Sequence, residues 1–161
     1  SSDVCSSDLL TGGGTVDKVK GTPKYSFGGV VYPGCSPNAA GGGNWNVIDH
    51  TTGLHFQGKN ITVDSCSGTN TSSPKVTLNI IDFHGTGTIV GVSGNSTPST
   101  KVEFVGRAID KLESGGGNDK LYIKVTPEGG GSTLLQIGNT ADDPAAITTG
   151  NLQIHQTSCN K

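Results

Sequence analysis

Four oxygen-bearing side chains flank one glycine-rich stretch, and they are the groups best suited to binding a metal. They are Asp110, Glu113, Asn118 and Asp119, with Gly115–Gly117 between them. Calcium prefers carboxylate and amide oxygens, and glycines allow a backbone to fold around an ion. The spacing is not that of an EF-hand, however, and carboxylates alone do not specify a site. The sequence supports two interpretations of this segment, a calcium loop and a solvated polar loop.

A second cluster lies where two short apolar segments meet at a turn. Asp49 and His50 precede Thr51–Gly53, and His55 follows. A metal site would need further ligands that the sequence does not identify. We favour the alternative that the Asp49 carboxylate caps the turn by accepting backbone N–H groups. Because no Gly-x-Ser-x-Gly elbow accompanies the many serines, we predict no catalytic site and no enzyme activity.

The aromatic side chains raise the question of a sugar-binding surface. Trp45 is the single tryptophan, and Tyr122 alternates onto the polar side of its segment, where we expect it to be exposed. An exposed row of aromatic rings stacks well on sugars, which would make the chain a carbohydrate-binding module. A lone tryptophan in a small β domain is more often part of the core. Trp45 and Tyr122 are therefore candidate ligand-binding residues of an alternative function.

The first nine residues, Ser1–Leu9, are unusual for a protein. They contain Ser-Ser-Asp twice, and Asp3–Leu9 matches the translation of a common short-read sequencing adaptor. We therefore expect residues 1–9 to be a non-native segment and residues 10–161 to be a single domain. Without Asp3 and Asp8 the acidic residues number 11, equal to the 11 lysines and arginines, so the domain is neutral.

Three cysteines remain once Cys5 is set aside with that segment. Cys35 and Cys66 flank predicted strand ends, and Cys159 lies close to the C-terminus. Three cysteines allow one disulfide and one free thiol, unless a fourth lies upstream. No Cys-x-x-Cys motif suggests zinc. Disulfides point to an oxidising compartment, whereas three free thiols in a reducing cytosol are the alternative.

Composition restricts the class of protein. Only 15% of the residues are charged and 26 of 161 are glycine. A neutral surface with no basic cluster argues against nucleic acid and against anionic membranes as partners. No apolar segment is long enough to cross a bilayer as a helix, so we predict no membrane insertion.

The elements that must position these residues are strands. Lys120–Thr126 alternates regularly, with Leu121, Ile123 and Val125 predicted to face the core. Further candidate strands are the segments 25–32, 45–49, 54–57, 60–64, 75–80, 86–92, 100–108, 134–137 and 152–155. The same alternation predicts these further inward-facing side chains: Ile61, Val63, Val76, Leu78, Ile80, Val102, Phe104 and Ala108.

The run of apolar residues at Ile80 and Ile81 breaks this alternation, because Ile81 and Phe83 fall on the opposite face. A bulge or a strand that crosses between sheets would account for the break. Helix signals are nearly absent. The spacing of short strands and turns predicts an all-β, antiparallel β-sandwich of immunoglobulin-like or related type, with a β-barrel as the alternative.

Three segments resemble the signature of the post-COAP-1 family of domains. In Gly43–Gly58 an aromatic-led strand reaches Asp-His, a Thr-Gly turn and a second strand that ends in glycine. Asp110–Val125 is similar to the family's hairpin with a glycine-rich acidic loop, and Gly150–His155 is similar to its closing strand. The resemblance covers residues 12–155. It implies a non-enzymatic module of bacterial extracellular or surface-anchored proteins, usually beside other domains.

The leading functional hypothesis is an extracellular or cell-surface structural or adhesion module. Its partners would be neighbouring domains of the same polypeptide, and glycans or other cell-surface components. One alternative is a carbohydrate-binding module attached to a secreted hydrolase. Another is a self-assembling subunit in which an exposed sheet edge pairs with a neighbouring chain.

Overall fold

A computed structural model shows one antiparallel sheet and no helix in the residues that it describes, which are 8–32, 42–67, 79–92, 94–110 and 119–156. The sheet contains ten strands. They are β1 (Asp8–Val19), β2 (Thr22–Val31), β3 (Gly43–Asp49), β4 (Leu54–Ser67), β5 (Ile80–Gly91), β6 (Thr100–Ile109), β7 (Lys120–Pro127), β8 (Leu135–Ile137), β9 (Ala145–Ala146) and β10 (Thr149–Gln156).

The strands follow one another across the sheet almost in sequence order. The order is β10-β1-β2-β3-β4-β5-β6-β7-β8, and β9 pairs with β7 beside β8. The sheet curls into a half-barrel that encloses its own apolar face. The prediction of an all-β antiparallel fold is therefore confirmed. The single curled sheet is consistent with both the predicted sandwich and its barrel alternative.

The core lies on the concave inner face, and the period-two alternation of the sequence places it there. In β6 and β7 every side chain that the sequence predicts to face inward is buried. These are Val102, Phe104, Ala108, Leu121, Ile123 and Val125. Aromatic rings connect the middle of this face: Trp45 stacks on Phe27 at 6.1 Å between ring centroids and meets Phe83 at 5.9 Å.

Two details of the predicted strands need correction. Segments 54–57 and 60–64 are one strand, β4, which contains a bulge where Asn60 adopts a positive φ of 50°. Ile80 is half-buried, whereas Ile81 and Phe83 point into the core, so the inward prediction for Ile80 is wrong. β5 begins at Ile80 and pairs with β6 in unbroken register as far as Ile89. Val76 and Leu78 lie outside the described residues.

Candidate functional site

Asp110 and Asp119 lie side by side at one end of the inner face. Asp110 directly follows β6 and Asp119 directly precedes β7, and Ile109 pairs with Lys120 in the ladder between these strands. Both continue the inward-facing rows of their strands, and they are only 7% and 5% exposed. Such burial requires hydrogen-bond partners, because a buried carboxylate without them is costly.

Both carboxylates accept backbone N–H groups of the last strand. The Leu152 amide donates to Asp119 Oδ2 at 2.8 Å, and the Ile154 amide donates to Asp110 Oδ2 at 2.9 Å. Leu152 and Ile154 are two residues apart, so their amides lie on the same edge of β10. The two aspartates thus occupy the hydrogen-bonding position that a neighbouring strand would occupy.

A third hydrogen bond connects the same two parts of the sheet. The Tyr25 hydroxyl of β2 donates to the Gln136 carbonyl oxygen of β8 at 2.7 Å. We use the term seam for these three bonds, made by Tyr25, Asp110 and Asp119, which join strands β10 and β2 to the region of β6–β8. An unpaired strand edge invites association with other chains, and the seam occupies part of both edges.

The Tyr25 bond makes a testable contribution to stability. Burial, and secondly the Asp49 carboxylate, raise the pKa of the Tyr25 hydroxyl above its usual value. The folded state therefore holds this proton more tightly than the unfolded state does. The stabilisation is complete below the usual tyrosine pKa of about 10, and it is lost as the pH rises through the higher folded-state pKa.

We expect Tyr25→Phe to lower the free energy of unfolding by about 1 kcal/mol at neutral pH, because one hydrogen bond is lost. The difference between the two proteins should shrink above a pH of about 10. Urea unfolding of both proteins across this pH range measures the effect. A difference that stays constant with pH would contradict the role of the Tyr25 proton, and Tyr32→Phe at an exposed position is the control.

The seam bears directly on the calcium hypothesis. Asp110 and Asp119 face the interior and bind β10, whereas Glu113 and Asn118 lie outside the described residues. In the part of the chain that the structure describes, no three histidine, cysteine or acidic side chains gather in a way that could hold a metal ion. Calcium binding by all four residues stays a prediction.

The aromatic residues proposed to stack on sugars are buried. Trp45 is 0% exposed and lies between Phe27 and Phe83, so its indole has no face available to a ligand. Tyr122 is 9% exposed, and the prediction that it is exposed is wrong. An aromatic sugar-binding platform made of Trp45 and Tyr122 is therefore absent from the structure.

The segment between β8 and β9 lies on the same side of the sheet as Tyr122. Arg107 is the cross-strand neighbour of Tyr122 on the outer face. The Arg107 guanidinium donates to the Ala141 carbonyl oxygen at 3.1 Å and to Asp142 Oδ1 at 3.2 Å. These bonds place the 138–144 segment beside the outer face of β6 and β7, which alternation within a strand does not reveal.

Arg107 also organises the outer face of β5 and β6. Its Nε and Nη2 donate to the two carboxylate oxygens of Asp82 at 2.6 and 3.0 Å, and Ser65 Oγ donates to the same carboxylate at 2.8 Å. The hydrogen bond to Asp82 raises the pKa of Arg107 further above its already high value. A paired guanidinium and carboxylate of this geometry suits arginine and not lysine.

We expect Arg107→Lys to lower the free energy of unfolding by about 1–2 kcal/mol, because an ammonium cannot bind Asp82 through two parallel bonds and also reach Ala141. Lys101→Ala is the matched control, since Lys101 is an exposed basic residue on the same strand and face. Its effect should stay within about 0.5 kcal/mol. Equal losses in the two variants, measured by urea unfolding, would show that the Arg107 network contributes little.

Asp49 plays the structural role that the sequence favours. Its Oδ1 accepts the backbone N–H groups of Thr51 at 2.9 Å and Thr52 at 3.2 Å, so the turn-capping prediction is confirmed. His50 Nε2 lies 2.7 Å from the Ser26 hydroxyl on the neighbouring strand β2. The geometry therefore makes the turn rigid and gives no sign of a shared metal.

Two surface depressions of about 450 Å³ each could accommodate a ligand. The first lies beside the Asp49 turn, and the Asn95 side-chain amide braces it by donating to the Thr52 carbonyl oxygen at 2.7 Å. The second lies on β5–β7, lined by His84, Glu103 and Lys124 among others. Neither contains an aromatic ring exposed for stacking, and neither unites groups in a recognisable catalytic arrangement.

The cysteines provide one firm observation. Cys66, near the end of β4, is disulfide-bonded. Cys35 and Cys159, the other two disulfide candidates, lie outside the described residues, as does Cys5. The partner of Cys66 is therefore outside them as well.

No protein-family model, curated protein or solved structure matches this chain. The likeness to post-COAP-1 domains thus depends on the three sequence motifs alone. Within the described residues there is also no helix long and apolar enough to cross a membrane.

Proposed function

We propose that the domain is a non-catalytic structural or adhesion module of a larger secreted or surface-anchored protein. The disulfide bond at Cys66 is the observation that carries the proposal, because such bonds form and persist in oxidising compartments. The motifs that resemble those of post-COAP-1 domains support the same location.

The roles of the buried carboxylates support a non-catalytic function. Asp49, Asp110 and Asp119 are the buried acidic residues of the described chain, and each accepts backbone amides. A catalytic carboxylate needs access to a substrate, whereas these three hold a turn and the last strand in place. The three buried carboxylates therefore stabilise the fold.

The self-assembly alternative is less well supported. It needs an unprotected sheet edge, and the seam occupies amides of β10 and a carbonyl group of β8. Size-exclusion chromatography across a range of concentrations tests it, with a monomer expected throughout.

The test of the proposal compares the chain exported to a bacterial periplasm with the chain retained in the cytosol. We expect the exported protein to carry the Cys66 disulfide and to lose stability on reduction by about 2–4 kcal/mol. Cys66→Ser should reproduce that loss without reductant. A Cys66 thiol that alkylates freely in the folded, exported protein, with no change in Tm on reduction, would contradict the proposal.

A further inference from the structure

The depression on the outer face of β5–β7 combines an exposed apolar side chain with charged groups of both signs. Val105 of β6 is 46% exposed, which is unusual for a large apolar residue in the described chain. It pairs with His84 of β5 on one side and with Lys124 of β7 on the other, so these three residues form one row across the sheet. The neighbouring row supplies the other polar side chains of the depression, which are Thr86, Glu103 and Thr126.

Glu103 and Lys124 carry opposite charges at diagonal positions of β6 and β7. Glu103 pairs with Thr126, which lies two residues along β7 from Lys124. Diagonal neighbours in an antiparallel pair are about 7–8 Å apart, and the line that joins them here passes between Val105 and Thr126. In the part of the chain that the structure describes, neither Glu103 nor Lys124 belongs to an ion pair. An anion and a cation are therefore both available to a ligand in this depression.

His84 adds a hydrogen-bonding group whose proton has a defined position. Its Nδ1 lies 2.7 Å from Asp64 Oδ1, and Nδ1 is the donor because a carboxylate can only accept. The neutral imidazole then holds its lone pair on Nε2, which is an acceptor suited to a peptide N–H group. The His84 side chain is 51% exposed, so this acceptor is open to a ligand on the outer face.

We propose that the β5–β7 depression binds a short zwitterionic peptide, with the ammonium group of the peptide beside Glu103 and its carboxylate group beside Lys124. An extended dipeptide spans about 7 Å between its charged ends, which matches the diagonal spacing of the two side chains. Its small side chains then contact Val105, and its peptide N–H group donates to His84. The depression, with a volume of about 450 Å³, has the size of a small-ligand site, for which about 300–1,000 Å³ is usual.

Other occupants fit these charges less well. A ligand with a single kind of charge pairs with Glu103 or Lys124 and meets a like charge at the other. A second copy of the chain, in a two-fold contact centred on Val105 with aligned strands, places Glu103 or Lys124 against its own counterpart, which is unfavourable. Peptide binding adds to the structural role of the domain and does not depend on its cellular location.

Titration of the full chain with the dipeptide alanyl-alanine, followed by the amide resonances in heteronuclear NMR spectra, tests the proposal. We expect saturable shifts at Thr86, Val105 and Thr126, with a dissociation constant in the millimolar range because the ligand is small. Acetylation of the dipeptide removes its ammonium group, and amidation removes its carboxylate group. Each change should raise the dissociation constant about two- to fivefold, the contribution of one partly exposed ion pair.

Two variants assign each end of the dipeptide to its partner. Glu103→Gln should bind the free and the acetylated dipeptide equally, and Lys124→Gln should bind the free and the amidated dipeptide equally, because each variant lacks the charge that the modification leaves unpaired. Glu128→Gln and Lys101→Gln are the matched controls, since both residues are exposed and lie outside the depression. Both controls should keep the full preference for the free dipeptide, and unchanged amide spectra away from each substitution confirm the fold.

The absence of saturable shifts at these amides, or equal binding of the free, acetylated and amidated dipeptides by the unmodified chain, would overturn the proposal. Shifts at the same amides that grow with protein concentration alone would identify a second copy as the occupant and would also overturn it. A reactive Cys66 thiol in the exported protein counts only against the extracellular function and leaves these titrations unaffected.

Discussion

Trp45→Ala should lower the free energy of unfolding by about 3–5 kcal/mol, the usual loss when a buried tryptophan is truncated. Trp45 is 0% exposed and contacts the rings of Phe27 and Phe83 on the inner face. Its removal leaves a cavity between β2, β3 and β5, which a curled sheet can close only by changing its curvature. Urea unfolding followed by far-ultraviolet circular dichroism measures the loss.

Trp45→Phe is the matched control for this substitution. It keeps an aromatic ring beside Phe27 and removes the indole Nε1, which has no hydrogen-bond partner among the described residues. An unpaired buried N–H costs about 1–3 kcal/mol, and its removal offsets part of the lost packing. If Trp45→Ala were as stable as Trp45→Phe, the indole could not be a central part of the core.

These expectations also change how a sugar-binding test should be interpreted. A loss of glycan binding in Trp45→Ala would follow from unfolding alone, because the side chain is inside the core. The same caution applies to Tyr122, which is 9% exposed. Substitutions of exposed residues around the two depressions, such as Thr51 or Glu103, test ligand binding without this difficulty.

The sequence predicted best the strands whose alternation is uninterrupted. In β6 and β7 each second side chain is apolar and buried, so both the strand and its inner face follow from the pattern. β1 shows the opposite case, because Gly12–Gly14 weaken every strand signal in the sequence. A side chain on Gly14 would collide with the carbonyl oxygen of Thr149 in β10. Those glycines are there for close approach of two backbones, which becomes apparent only once the partner strand is known.

The sequence predicts Asp110 and Asp119 as calcium ligands on a loop, and the structure shows that both carboxylates also hold β10. The alternation of the sequence indicates that both side chains face inward. Asp110 continues the inward row of Phe104 and Ala108, and Asp119 continues that of Leu121. Their partner strand is more than thirty residues away in the sequence, so local patterns indicate that they face inward but not what they bind.

Asp119→Ala should lower the free energy of unfolding by about 2–3 kcal/mol, because it leaves the buried Leu152 amide without its charged acceptor. Asp119→Asn keeps an oxygen at that position and should cost less. Glu128→Ala, at an exposed acidic residue, is the control and should change stability by no more than about 0.5 kcal/mol.

Hydrogen exchange separates this local role of the seam from a general loss of stability. In Asp119→Ala the amide of Leu152 should exchange much faster than the amides of β6, and in Asp110→Ala the amide of Ile154 should do so, because each loses a different acceptor. A uniform acceleration across the sheet would mean that the carboxylates stabilise the fold without holding β10 in particular.

Because Asp110 and Asp119 are adjacent and act on one strand, their double substitution should lower the free energy of unfolding by less than the sum of the two single losses. Once β10 has been released by one substitution, the remaining carboxylate has little left to hold.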